Sequence, residues 1–262
     1  MEKRQEVSGA VGFIIILRVV PRERRNILAM RVREFAKTVD HTLLKPEATE
    51  QEIVRLCKEA SHYHFAAVCI PPSYVPLAAR ELRGADVKVA TVISFPFGYE
   101  ATAVKIAAVR EAVTRGASEL DVVMNISKFL SGDFGYVADE LASLTQEVSA
   151  VAMNNGLNDV VVKVILETAY LSDKMKRLAT QIVAASGADF VKTSTGFAPV
   201  GATPEDVALL REEAPEGLAV KASGGIRTLR EALDILNAGA SRIGMSGSVA
   251  VMEEAEGGGL QE

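Results

Sequence analysis

The sequence has 262 residues, of which 48% are hydrophobic, and 34 acidic side chains outnumber 29 basic ones to give a formal net charge of −5. The length fits one large domain, such as an α/β barrel, and a chain of this size needs no disulfide or metal to fold. The acidic balance argues against a nucleic-acid partner, and the absence of any apolar run near ~18 residues argues against a membrane partner. Only two cysteines are present, so we expect no disulfide framework and a reducing, cytoplasmic location.

Residues 1–29 differ in composition from the rest of the chain. Residues 10–20 are almost wholly apolar, and Arg22, Arg24 and Arg25 follow them. A signal peptide has the opposite order of charge and apolar stretch, and a small-residue cleavage site. We therefore interpret this segment as an extension outside the domain, or as a translation start upstream of Met30. Residues 257–262 are predicted to be a flexible tail, which leaves residues 30–256 as a single domain.

Short β-rich runs alternate with longer helical patterns from residue 36 onward. The eight predicted strands are, in chain order, 39–43, 65–70, 87–94, 119–125, 160–166, 189–193, 218–223 and 241–245. Near-continuous apolar runs such as residues 160–162 are typical of parallel strands that are buried on both faces. Eight strand–helix repeats favour a closed (βα)8 TIM barrel, with a doubly wound open sheet as the alternative. No Gly-x-Gly-x-x-Gly follows the first strand, which disfavours a dinucleotide site.

The predicted helices between these strands have clear end signals. Thr49 with Glu52 and Thr228 with Glu231 are typical of capping boxes. The other signals are an N-cap followed by proline at Thr203-Pro204, and Gly-Ala pairs before three strands at 116–117, 187–188 and 239–240.

Charged side chains lie in or at the ends of several otherwise apolar strands. They are Asp40 and His41 in the first strand, Asp121 in the fourth, Lys163 and Glu167 in and after the fifth, Lys192 in the sixth and Lys221 in the seventh. Active sites of α/β barrels lie at the carboxyl ends of the strands. A salt bridge, or a side chain reaching the barrel mouth, would account for any single lysine, but lysine is seldom buried unpaired. Three lysines in such strands therefore indicate a catalytic site.

Lysine attacks a carbonyl only as the free amine, and its usual pKa of ~10.4 leaves well under 1% of it neutral at pH 7. Burial and a neighbouring cation both lower that pKa. A second ammonium at ~6 Å, at an effective dielectric constant of ~20, lowers it by roughly two units. Adjacent strands bring Lys192 and Lys221 close enough for this effect, and Asp121 is the candidate carboxylate for moving protons.

Glycine and serine residues gather at the last strand ends. Ser223-Gly224-Gly225 follows the seventh strand, Gly244-Met245-Ser246-Gly247 ends the eighth, and Thr195-Gly196 follows the sixth. Phosphate sites of α/β barrels recur after strands seven and eight, where glycine permits close backbone approach. The pattern predicts a phosphate-binding site.

Several segments together resemble the deoxyribose-phosphate aldolase family. The matching segments are residues 40–46, 68–70, 119–125, 163–168, 190–197, 220–227 and 242–244, and the resemblance runs from about residue 33 to about residue 252. The Lys-Thr-Ser-Thr-Gly and Lys-Ala-Ser-Gly-Gly segments are its most specific parts. Phe197 is a departure, since some members of the family have lysine there.

The resemblance implies a TIM barrel that cleaves 2-deoxyribose 5-phosphate to glyceraldehyde 3-phosphate and acetaldehyde without a metal or organic cofactor. It implies that Lys192 forms the Schiff base, that Lys221 lowers the pKa of Lys192, and that Asp121 relays protons. The residues expected to bind substrate or its phosphate are Asp40, Thr42, Lys163, Thr195, Gly196, Gly224, Gly225, Gly244, Ser246 and Gly247.

Two alternatives stay open at this point. One is another Schiff-base sugar-phosphate aldolase or transaldolase, and another is a barrel that binds a phosphorylated metabolite without catalysis. A metal-dependent aldolase is disfavoured because only His41, His62 and His64 are available as histidine ligands. The expected partners are a small sugar phosphate and an aldehyde, and a homo-oligomer remains open.

Overall fold

A computed structural model describes residues 30–157 and 159–260. Eight parallel strands form a closed barrel in which each strand pairs with the next and β8 pairs with β1. The strands are β1 (Val39–Thr42), β2 (Ala67–Ile70), β3 (Lys88–Ile93), β4 (Glu119–Val123), β5 (Val161–Ile165), β6 (Phe190–Lys192), β7 (Ala219–Ser223) and β8 (Arg242–Met245). This topology confirms the (βα)8 barrel, and the open-sheet alternative is wrong.

Helices surround the barrel and connect its strands. They are α1 (Val32–Ala36), α2 (Glu50–Tyr63), α3 (Val75–Glu81), α4 (Thr102–Thr114), α5 (Ile126–Leu130), α6 (Phe134–Asn154), α7 (Asp173–Ser186), α8 (Pro204–Glu213), α9 (Leu229–Asn237) and α10 (Ser248–Glu254). The described part of the chain contains no helix long and apolar enough to cross a membrane. A π-type turn, Ala255–Gly259, follows α10. The interpretation of residues 1–29 lies outside the described residues, and the domain limits and the flexible tail stay predictions.

The predicted helix ends are confirmed. The Glu52 carboxylate accepts a hydrogen bond from the backbone N–H of Thr49 at 2.8 Å, and the Thr49 hydroxyl accepts one from the Glu52 N–H. Thr228 and Glu231 form the second capping box. Thr203 caps α8, with proline at the first helical position, and the three predicted glycines have the left-handed conformation. Local signals alone therefore delimit these helices.

Two apolar regions stabilise the barrel. The main core lies between the strands and the helices and includes the fully buried Val68, Leu120 and Val191. A small second cluster, formed by Ala67, Cys69, Ala90 and Val92, comes from β2 and β3. Because strand residues alternate in direction, the main-core residues of β2 face outward and Ala67 and Cys69 face the barrel interior. The buried interior is therefore apolar along β2 and β3, and its buried or nearly buried charged residues come from the other six strands.

Candidate active site

Three lysines from three neighbouring strands converge on one aspartate inside the barrel. Strand register places Asp121 beside Lys163, and Lys192 beside Lys221. The Nζ atom of Lys163 donates to Oδ1 of Asp121 at 2.8 Å, and those of Lys192 and Lys221 each donate to Oδ2 at 2.6 Å. All four side chains are buried. The structure thus brings together the three residues predicted to be catalytic.

The contacts continue beyond Asp121 and close into a ring. Lys221 also donates to Asp40, and Arg242 donates to Asp40 and, at 2.8 Å, to Glu119. Lys163 lies 2.6 Å from Glu119 and so returns the chain of contacts to Asp121. We call this set the charge ring; its members, in contact order, are Asp40, Lys221, Asp121, Lys163, Glu119 and Arg242. Positive and negative side chains alternate around it, and Lys192 is attached to it at Asp121.

Two members of the charge ring, Glu119 and Arg242, were not among the predicted site residues. Glu119 lies two residues before Asp121 on β4, and two residues along a strand share one face. Arg242 is the first residue of β8 and pairs in register with Lys221. Because both lie at strand starts, far from the carboxyl ends where active sites are expected, their charge alone did not mark them.

Burial and the neighbouring charges shift the ionisation of these groups in different directions. Burial, aided by the Lys221 cation, lowers the pKa of Lys192, and Asp121 only partly opposes it. Burial also acts to lower the pKa of Lys221, but the Asp121 and Asp40 carboxylates outweigh it and raise that pKa. The same balance raises the pKa of Lys163. Lys192 is therefore the lysine of this cluster that loses its proton most readily.

The two aspartates of the cluster, Asp121 and Asp40, stay ionised. Burial acts to raise the pKa of Asp121, but Lys163, Lys192 and Lys221 outweigh it and hold that pKa well below 3.8. The pKa of Asp40 is likewise lowered, since Lys221 and other cations outweigh its burial. An ionised Asp121 at neutral pH accepts hydrogen bonds from both catalytic candidates and links them.

A cavity of about 310 Å³ opens above Lys192 at the carboxyl ends of the strands. Eight predicted site residues line it: Thr42, Lys192, Thr195, Gly196, Gly224, Gly225, Gly244 and Ser246. The buried Asp40, Asp121, Lys163 and Lys221 are not among its lining residues, and neither is Gly247, which immediately precedes α10. Sequence reasoning missed Lys45 and Arg227, two lining cations inside segments that carried the family resemblance.

The polar wall of this cavity depends on two loops in backbone contact. Gly224 has φ of +88°, and an added Cβ atom there would lie 3.1 Å from Cα of Gly201. A Cβ atom on Gly201 would lie 2.2 Å from the Gly224 carbonyl oxygen. The N–H of Ala202 donates to the carbonyl oxygens of Ser223 and Gly224. Glycine at both positions therefore permits the loops after β6 and β7 to touch.

A second, more apolar cavity of about 540 Å³ adjoins the first. Its lining includes Phe97, Tyr99 and Tyr170, and it shares Thr195 and Phe197 with the first cavity. At its wall the buried Glu167 accepts hydrogen bonds from the hydroxyl and N–H of Thr195. Burial raises the pKa of Glu167 despite these bonds. Glu167 thus fixes the position of Thr195 at the start of the loop after β6.

The histidines predicted to be poor metal-site candidates lie apart from the cavity. Nε2 of His41 lies 2.8 Å from Glu59, and Nδ1 of His64 lies 2.9 Å from Asp86. Within residues 30–157 and 159–260, no group of three or more His, Cys, Asp or Glu side chains is arranged to hold a metal ion.

The closed barrel and the buried lysine beneath a polar cavity define the class of protein as a barrel enzyme of carbonyl chemistry. The model of the DeoC/LacD family of aldolases matches residues 35–251, and the chain belongs to this family. The resemblance seen in the sequence is thereby confirmed.

Named relatives and solved structures agree with this assignment. The chain is 50% identical over 226 residues to deoxyribose-phosphate aldolase of Caldanaerobacter subterraneus subsp. tengcongensis, covering 86% of this chain and 95% of the relative. It is 48% identical over 225 residues to the same enzyme of Clostridium kluyveri, covering 86% of this chain and all of the relative. A tetrameric deoxyribose phosphate aldolase from Aeropyrum pernix superposes with a TM-score of 0.78 at 36% identity, over 86% of this chain and 92% of the other.

Proposed function

We propose that this chain reversibly cleaves 2-deoxy-D-ribose 5-phosphate to D-glyceraldehyde 3-phosphate and acetaldehyde through a Schiff base on Lys192. The observation that carries the proposal is the buried amine of Lys192, which faces the cavity, donates to Asp121 and has a lowered pKa. The curated names of relatives at about 50% identity support the substrate.

In the direction of synthesis, the free amine of Lys192 attacks the carbonyl carbon of acetaldehyde. The carbinolamine loses water to give an iminium ion, and its methyl carbon then gives up a proton. Asp121, which contacts both Lys192 and Lys221, relays that proton to water. The enamine carbon attacks the aldehyde carbon of glyceraldehyde 3-phosphate, and the aldehyde oxygen takes back the relayed proton to become a hydroxyl. Water then hydrolyses the resulting iminium ion and releases the product from Lys192. Cleavage follows the same steps in reverse.

The substrate phosphate is proposed to bind the glycine-rich wall formed after β6, β7 and β8. Gly196, Gly224, Gly225 and Ser246 line this wall, Gly247 follows it, and Thr42, Thr195 and Gly244 complete the polar surface. Lys45 and Arg227 add positive charge to the same cavity. Arginine and lysine are the usual partners of phosphate oxygens, so these two cations take the place of the lysine that some family members have at Phe197.

Asp40 and Lys163 are proposed to act without contacting substrate, although the sequence placed them among the binding residues. Both are fully buried and lie outside the cavity lining. Asp40 accepts from Lys221, and Lys163 donates to Asp121. Each therefore orients a residue that is proposed to be catalytic.

Trapping the intermediate tests this function. Borohydride reduction in the presence of acetaldehyde should add an ethyl group to Lys192 in the native protein. Lys192→Met should lose the adduct and lower the cleavage rate by at least about 10³-fold. Lys37→Met is the control, because Lys37 pairs with Asp86 and is partly exposed. An adduct without acetaldehyde release from 2-deoxyribose 5-phosphate would favour another Schiff-base aldolase, and no adduct would favour a binding protein.

Assembly and location are separate proposals. The tetrameric Aeropyrum pernix structure supports a homo-oligomer here, which light scattering would test. The two free cysteines, Cys57 and Cys69, support a cytoplasmic location.

A further inference from the structure

We propose that Arg242 and Glu119 are positioning residues that keep Lys192 as a free amine by setting the net charge of the charge ring. Neither residue lines the cavity, and neither contacts Lys192. The inference rests on the proposed function, in which Lys192 is the nucleophile.

The geometry makes the charge ring a closed unit. Arg242 joins Asp40 to Glu119 on the side away from Lys192, and Asp121 joins Lys163 to Lys221 on the side next to it. Every ring member therefore contacts at least two ring members of opposite sign. A change of charge at one ring member therefore removes a partner from two others and alters the net charge of the whole ring.

Charge balance explains why Lys192 is the group that gives up its proton. The three carboxylates of the ring balance its three cations, so a protonated Lys192 would add a fourth, uncompensated positive charge to a buried site. Lys192 is only 2% exposed. An uncompensated buried charge costs several kcal/mol, and a titratable group avoids that cost by becoming neutral. The neutral amine needed for attack thus follows from the composition of the whole ring.

The other titratable groups around Lys192 do not supply this balance. Cys69 on β2 is a buried thiol whose pKa is raised to about 11, chiefly by burial, so it stays neutral. Glu167, after β5, interacts electrostatically with Lys192, but it is hydrogen-bonded to Thr195, and burial raises its pKa, which disfavours its charged form. On β3 the adjoining cluster residues are Ala90 and Val92. Of the charged neighbours, Asp121 and Lys221 belong to the ring. Lys45 and Arg227 line the same cavity as Lys192 and are unchanged by substitution at Glu119 or Arg242.

Two single substitutions should shift the pH at which Lys192 loses its proton in opposite directions. Arg242→Gln leaves the ring with an excess negative charge, so Lys192 retains its proton to higher pH. Glu119→Gln leaves an excess positive charge, so Lys192 loses its proton at lower pH. Both residues lie roughly 10 Å from Lys192, two strand spacings away, where one charge shifts a pKa by about one unit. A purely structural role would not produce shifts of opposite sign.

The measurement is the pH midpoint of adduct formation on Lys192, read by mass spectrometry after cyanoborohydride reduction with acetaldehyde. We expect a midpoint about one unit higher for Arg242→Gln and about one unit lower for Glu119→Gln. Arg242→Lys keeps the charge and should keep the native midpoint, and the double variant Glu119→Gln with Arg242→Gln should return to it.

Equal midpoints for the two single variants, or shifts of the same sign, would overturn the inference. If one single variant fails to fold, the other must still shift in its predicted direction, and a displaced midpoint in either the double variant or Arg242→Lys would contradict charge balance. Failure of the proposed function has a different signature, because the native protein would then form no adduct on Lys192 at any pH.

Discussion

Asp121, the carboxylate proposed to relay protons, has an unusual position, because three lysines share its two oxygens. Lys192 and Lys221 both donate to Oδ2, which leaves Oδ1 to Lys163. A carboxylate in this position is a weak base that holds a proton only briefly. Such a weak base is suited to passing a proton between a lysine and water, and it is less suited to keeping the proton.

At the residue scale, Lys221→Leu tests how one neighbouring cation affects Lys192. Loss of the Lys221 charge should raise the pKa of Lys192 and move the acidic limb of the kcat/KM profile one to two pH units higher. Steady-state cleavage assays across pH would measure it. Lys221→Arg keeps the cation and serves as the control; an acidic limb that stays in place in the leucine variant would refute the coupling.

The two loops after β6 and β7 form the wall that is proposed to bind the substrate phosphate. Their contact depends on Gly201 and Gly224, where no side chain fits between the backbones. The loops carry Gly196, Gly224 and Gly225 to the cavity wall. If the two loops move apart, phosphate binding should therefore be affected more than the chemistry on Lys192.

Gly201→Ala tests this contact at the scale of the element. The added Cβ atom would lie 2.2 Å from the Gly224 carbonyl oxygen, so the loops must move apart. We expect KM for 2-deoxyribose 5-phosphate to rise about tenfold or more, a loss of roughly 1.4 kcal/mol of binding, with a smaller change for unphosphorylated 2-deoxyribose. Gly135→Ala is the control, because its Cβ atom would meet open space. An equal loss with both substrates would show that the loops do not act on the phosphate.

At the scale of the whole molecule, the barrel combines a conventional apolar core with a charged interior. The main core lies outside the strands, and the interior holds the charge ring alongside the small cluster on β2 and β3. Buried ion pairs are costly to break because the remaining charge stays desolvated. The ring thus ties the stability of the barrel to the ionisation of its carboxylates.

Acid should therefore unfold this protein steeply. Asp40 and Asp121 have folded-state pKa values below the usual 3.8, so the stability they contribute is complete above pH 3.8 and is lost as the pH falls further. We expect each carboxylate to account for about 2 kcal/mol of unfolding free energy in this range. Urea unfolding at a series of pH values would measure the loss.

The buried location of the ring provides the control for this measurement. Added salt screens exposed ion pairs but affects buried ones little, so the acid-induced loss should persist at high ionic strength. Glu140 and Glu167, whose pKa values burial raises, titrate above this range and do not interfere. An unfolding free energy that is constant below pH 3.8 would contradict the coupling between ring and stability.

The sequence predicted the barrel and much of the site because their signals are local or repeated. The eight strands, the two capping boxes and the glycines at three helix ends depend on residues that are close together in the chain. The structure confirms all of them. The lysines at 192 and 221 were conspicuous because charge is rare in buried strands. Glu119 and Arg242 were missed because they lie at the starts of their strands, away from the carboxyl ends where active sites are expected.

The sequence by itself determined the alternation of strands and helices, and with it the fold, because periodicity and end signals are properties of neighbouring residues. Only the tertiary structure decided that six charges from five strands close into a ring, and that Asp40 and Lys163 lie beneath the cavity. The reason is physical: barrel closure sets which side chains meet inside, and the ionisation of a buried amine depends on the sum of the charges around it.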